Sequence, residues 1–260
     1  MSEGGVIGAL SARIKAGECV VTAWIGVNDP AIPDQLAREG YDAVTLDMQH
    51  GAIDIAGAMR AISAAALAGK PAIVRIPVGE FATASRVIDA GAAAVIAPMI
   101  NSADDARRFA EFMKFPPLGQ RSWGPRAALT LSGLVGPAYL HSANSFTLAI
   151  AMIETREALD ALDDILGTPG VDGVFVGPSD LSIALNRGAV VDPHGADVET
   201  QLAHVAARAK AHGKFAATFC LDGKRAREMA GRGYQLVSAS TDQLLLRSAA
   251  RAELAAARRE

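Results

Sequence analysis

A chain of 260 residues, 50% of them hydrophobic, can bury a large core, and its length suits one barrel or two small domains. Its 25 Lys and Arg against 28 Asp and Glu leave a formal charge of -3 without a basic, aromatic-interleaved stripe, which argues against a nucleic-acid partner. No signal-like start, bilayer-length apolar run or cysteine motif stands out, Cys19 and Cys220 being the only cysteines, so a soluble cytoplasmic protein with no membrane partner is expected.

Short β-branched runs alternate with Ala-rich helical segments from one end to the other, the pattern of parallel strands with crossover helices. In chain order the strands are predicted at 20–27, 41–47, 71–77, 93–99, 146–154, 172–177, 215–220 and 234–240. Their nearly continuous apolar character marks strands covered on both faces. After the second strand Asp54 caps a helix over 55–68 that stops at Gly69, and after the fourth Ser102 caps one over 103–113 before Pro116 and Pro117. Two connections, 114–133 and 186–197, are longer than a barrel needs and read as functional lids or disordered segments. Residues 241–258 form a last helix whose Leu244, Leu245, Leu246 and Leu254 either close the barrel or pack on a neighbouring subunit. Eight strand–helix units predict one (β/α)8 TIM-barrel domain over 1–260. GVNDPAIP follows the first strand where a dinucleotide fold needs GxGxxG, and no GxxxxGK[ST] occurs.

Barrel enzymes work at the C-terminal ends of their strands, so the polar residues expected there are the candidates. The second strand ends in Asp47-Met48-Gln49-His50-Gly51, the third at Arg75, the fifth in Glu154-Thr155-Arg156, and the sixth runs into Gly177-Pro178-Ser179-Asp180. Glu154 and Asp180 can give an octahedral ion such as Mg2+ two hard oxygen ligands, leaving the other positions to water and a chelating substrate. The structural alternative is a salt-bridged strand end and an N-cap for the helix LSIAL. Arg75, alone among apolar neighbours, must meet an anion: a substrate carboxylate or enolate, or a structural carboxylate such as Asp47. His50, in a Gly-flanked turn, can act as a base near neutral pH. His141, His194, His204 and His212 receive no role. A Schiff-base aldolase needs a lysine at the mouth, yet Lys70 and Lys214 flank strand starts and Lys15, Lys114, Lys210 and Lys224 lie on helices or loops. A metal-stabilised enolate is therefore preferred to an iminium.

With these residues in hand, the chain resembles the HpcH/HpaI aldolase family, the metal-dependent class II pyruvate aldolases. The likeness runs through YDAVTLDMQHG (41–51), PAIVRIP (71–77), DAGAAAVIAPMI (89–100), FPPLGQRSWG (115–124), IETREAL (153–159) and GVDGVFVGPSDLS (170–182). It implies that Glu154 and Asp180 bind Mg2+, Mn2+ or Co2+, that Arg75 stabilises an enolate and that His50 is the base. It also implies that Asp47 and Asp89 are acidic neighbours of that histidine, with Asp89 reaching across a subunit interface, and that Gly177 and Ser179 hold the donor carboxylate through backbone N–H groups. Trp24 and Arg121 join the substrate-contacting candidates. The implied reaction is reversible cleavage of a 4-hydroxy-2-oxo acid to pyruvate or hydroxypyruvate and an aldehyde, in a homo-oligomer, trimer or hexamer, that exchanges its last helix. Gln49 replaces a common Glu and Met152 a common Gln, and Trp123 reshapes the segment expected to border the acceptor. The alternatives are an acyl-CoA lyase of the citrate-lyase-β type, with Arg121 and Arg126 facing the CoA phosphates, and a non-catalytic 2-oxo acid-binding protein.

Overall fold

The apolar runs pair in sequence order. In the computed structural model, which describes residues 3–258, eight strands form a closed, all-parallel barrel: β1 (Val20–Ile25), β2 (Ala43–Asp47), β3 (Ala72–Arg75), β4 (Ala94–Ala97), β5 (Leu148–Ile153), β6 (Gly173–Val176), β7 (Phe215–Thr218) and β8 (Leu236–Thr241), which returns to β1. Every predicted strand is present, with ends displaced by no more than two residues, and the architecture is the expected (β/α)8 barrel. From β2 to β7 every strand residue is buried, which is why no polar alternation marks them.

Two apolar layers result. Val44, Leu46, Val74, Val95, Val174 and Val176 pack outward against helix residues such as Ile62, Val87, Phe109 and Val205. Val20, Trp24, Ile73, Ile96, Ile150, Met152, Phe175 and Phe215 fill the interior, and Ile7, Leu10 and Ile14 of the helix Gly5–Lys15 plug the base before the chain enters β1. The helix starts follow their sequence signals: Asp54 accepts from Gly57 N–H at 2.6 Å to open Ile55–Leu67, and Ser102 accepts from Asp105 N–H at 3.1 Å to open Ala103–Met113.

Two expectations need correction. The connection 114–133 is not a lid over the mouth. It leaves the C-terminus of Ala103–Met113, a helix running antiparallel to the strands, so it lies at the base, where it contains the helix Arg126–Ser132. Fully buried Lys114 anchors it there by donating to Asp172 Oδ2 at 2.7 Å and to the carbonyls of Asn144 and Thr147. The last helix, Asp242–Ala257, does not close the barrel either. Asp242 is its only buried residue, and Leu244, Leu245, Leu246 and Leu254 stand 36% to 69% exposed. No helix among the described residues is long and apolar enough to cross a membrane. Both cysteines are free, and burial pushes the Cys220 thiol up to about 12.

Candidate active site

The C-terminal strand ends surround a cavity of about 290 Å³, walled by Trp24, Asp47, His50, Arg75, Gly177, Ser179 and Asp180 and floored by the apolar Met152, Phe175 and Phe219. No lysine lines it.

Asp47 organises one side. Its Oδ1 accepts from Arg75 Nε at 2.9 Å, Gln49 N–H at 3.0 Å and His50 N–H at 3.2 Å, and its Oδ2 from Arg75 Nη2 at 2.6 Å and Trp24 Nε1 at 3.2 Å. Burial by itself would raise the Asp47 pKa, but the Arg75 hydrogen bonds and charge, with those of His50 and Trp24, hold it below the ordinary carboxylate range. The structural partner foreseen for Arg75 is thus real. Arg75 also lines the cavity and lies 4.9 Å from the centre of the Trp24 ring, so Asp47 fixes a guanidinium that still faces the site. Asp47 holds His50 through the backbone N–H, not the ring. The imidazole is exposed and makes no hydrogen bond within the described residues.

Asp180 lines the other side, and Glu154 lies against the lining residue Gly177. Glu154 is 2% exposed, forms no ion pair among the described residues, and its Oε1 accepts from the N–H of Met99 at 2.9 Å. Met99 holds a left-handed φ of 56° to deliver that N–H. Burial first, countered by Met99 and reinforced by the nearby charge of Asp180, pushes the Glu154 pKa up to about 7. Asp180 does not cap its helix, which runs Pro178–Leu185 from Gly177 without a side-chain cap. Both structural alternatives therefore fall away: among the described residues Glu154 forms no ion pair, and Asp180 does not cap its helix. At Gly177 a Cβ would lie 2.6 Å from Met152 Cε and 2.8 Å from Glu154 Oε2, so glycine is needed for room rather than for backbone freedom. The Gly177 N–H is directed at Ile153 O at 3.4 Å, whereas Ser179 sits in the first helical turn, where N–H groups have no partner within the helix.

This donor set fits a divalent ion. Asp180 lies close enough for its charge to raise the Glu154 pKa, and the hard oxygens of these two carboxylates suit Mg2+ or Mn2+. No group of three His, Cys, Asp or Glu forms among the described residues, so water and substrate would complete the coordination.

Asp89 and Arg121 do not join this pocket within one chain. Asp89 ends the helix Phe81–Asp89 at the base of the barrel, where it binds Arg121 Nη2 at 2.5 Å. Arg121 has a fully buried side chain beside Phe115 and Tyr139, and Trp123 packs nearby at a tilt against Phe115. The mouth therefore lacks the basic groove that Arg121 and Arg126 would need to build for an acyl-CoA; Arg75 is the sole lysine or arginine on its lining among the described residues. Sequence reading missed Gly26, Phe219 and the run Thr241–Gln243, all on the cavity wall. The signal for Asp242 was its position just past the eighth strand.

A family model, HpcH/HpaI aldolase/citrate lyase, matches residues 21–249. The chain belongs to this family. A hydroxypyruvate/pyruvate aldolase from Rhizorhabdus wittichii is 39% identical, the match covering 93% of this chain and 95% of that protein. A 4-hydroxy-2-oxo-heptane-1,7-dioate aldolase from Salmonella dublin is 30% identical over 94% of this chain and 92% of its own length. Among solved structures, an HpcH/HpaI aldolase/citrate lyase family protein from Burkholderia cenocepacia aligns with a TM-score of 0.87 at 32% identity, covering 97% of this chain and 100% of that one. As an HpcH/HpaI member the protein is an aldolase, a carbon–carbon lyase.

Proposed function

We propose that this HpcH/HpaI aldolase reversibly cleaves 4-hydroxy-2-oxo acids to pyruvate or hydroxypyruvate and an aldehyde, using a divalent ion held by Glu154 and Asp180. The observation that carries the reading is the grouping of Asp180, Arg75 and an unencumbered His50 imidazole on one cavity, with the buried Glu154 carboxylate set against the lining residue Gly177 and close enough to Asp180 for that charge to raise its pKa. The ion would supply Lewis acidity to the donor's 2-oxo group. Arg75 spends Nε and Nη2 on Asp47, which leaves Nη1 to meet the oxygen that gains charge as C3–C4 breaks. His50 accepts the 4-hydroxyl proton; the bonding pair stays with C3, C4 becomes the aldehyde, and a proton returned to C3 completes pyruvate. Ser179, in the first helical turn, offers a backbone N–H to the donor carboxylate. The uncovered leucines of Asp242–Ala257 support assembly into a trimer or hexamer through that helix, and Asp89 with Arg121 would serve a site only across such an interface.

The test is pyruvate release from a panel of 4-hydroxy-2-oxo acids, with and without Mg2+, Mn2+ or Co2+. Activity lost on chelation and restored by metal is expected, together with a fall of about a hundredfold for His50→Ala. Full activity after verified metal removal would sink the metal assignment, and an undiminished His50→Ala rate the base.

A further inference from the structure

The eighth strand departs from regular pairing where it reaches the cavity. Between the pairs Thr22–Ser238 and Trp24–Thr241, β8 holds one residue more than β1, and Ser240, inside that bulge, adopts a left-handed φ of 71°. A serine has no intrinsic reason to sit there, and bulges beside active sites commonly re-aim a side chain. Here the side chain that follows is Asp242, 7% exposed and on the cavity wall. Its Oδ2 accepts from the N–H groups of Gly26 at 3.0 Å and Val27 at 2.8 Å, and its Oδ1 from Gln243 N–H at 2.8 Å.

Those two amides belong to the tip of β1, and the tip of β1 is what the His50 turn rests on. Gly26 O accepts from Ala52 N–H at 2.8 Å. Gly51 presses so closely that a Cβ on it would lie 2.8 Å from Gly26 Cα and 2.3 Å from Asp47 O. His50 is therefore held from both sides in sequence. On one side Asp47 takes its own N–H at 3.2 Å; on the other Gly51 and Ala52 dock on Gly26, which hangs on Asp242.

We propose that Asp242 is a positioning residue for His50: its carboxylate fixes the β1 tip against which the His50–Ala52 turn is set, and so fixes where the base stands over the substrate. The proposal rests on the reading of His50 as the base. A side chain that acts only by placing another loses its effect once that other is removed, and a misplacement of about 1 Å can cost on the order of a hundredfold in rate.

The experiment is a double-mutant cycle on retro-aldol turnover. Asp242→Ala is expected to lower kcat about thirtyfold with the donor KM changed by less than about threefold, and to cost no more than about twofold when added to His50→Ala. A loss of the same factor in both backgrounds would mean general loosening of the barrel and overturn the proposal. Should Asp242→Ala not fold, Asp242→Asn, which keeps the size but turns one acceptor into a donor, is expected to lose about fivefold, again only when His50 is present. An unimpaired His50→Ala would remove the base assignment and this proposal with it, an outcome read from that single variant alone.

Discussion

Replacing Asp47 by leucine strips five hydrogen bonds from one carboxylate and leaves the Arg75 guanidinium, 7% exposed, without its counter-ion. The Gln49 and His50 amides lie in a turn at the mouth and can turn to water, so most of the loss falls on Arg75. Removing one partner of a buried, well-hydrogen-bonded pair costs about 3–5 kcal/mol, chiefly because the other charge stays buried. For a chain of this size that is a fall in Tm of roughly 6–15 °C, measurable by calorimetry at neutral pH. Because the native Asp47 pKa is depressed, its stabilisation is complete above the ordinary carboxylate range and is lost as pH falls through the native value. The gap between wild type and variant should therefore narrow in acid. The double variant Asp47→Leu with Arg75→Met removes both charges and should recover most of the stability while remaining inactive. An Asp47→Leu variant melting within about 2 °C of wild type would refute the claim that this pair is a buried, coupled unit.

Glu154, with its pKa raised to about 7, keeps a proton in the native state that the unfolded chain releases nearer 4.5. In the ion-free protein it subtracts up to about 3 kcal/mol of stability as pH rises through that window, and Mn2+ affinity by calorimetry should fall up to about tenfold per pH unit below 7. Affinity independent of pH between 5.5 and 8 would contradict this. Gly177→Ala places its Cβ against the movable ends of Met152 and Glu154, so Mn2+ binding should weaken by about tenfold while Tm shifts by only a few degrees. A variant that binds Mn2+ normally would show that Glu154 does not need the space. Cys220, buried with its thiol pushed up to about 12, should resist alkylation at pH 8 until denaturant is added; rapid native labelling at that site would show the β7 end to be open.

What the sequence makes legible follows from how a parallel barrel is made. A strand buried on both faces has to be apolar throughout, so a charge at its end is conspicuous, and Asp47, Arg75 and Glu154 stood out for that reason alone. Burial depth was not legible: nothing in IET says that Glu154 is nearly sealed and drawn towards neutrality while Asp180 stays open. The location of Arg121 at the base was different in kind, because the information was present. A segment between a helix and the next strand must emerge at the base of a barrel, and 114–133 follows Ala103–Met113. Asp242 marks the remaining boundary. Its orientation depends on a one-residue register shift in β8 and on a serine in a glycine-favoured conformation, and a pattern of period two cannot reveal an inserted residue. The leucines after it were legible as an apolar face but not as a destination. Because that helix begins at the carboxylate holding Gly26 and Val27, its exposed Leu245 and Leu246 stand within about one turn of the joint on which the His50 turn is set.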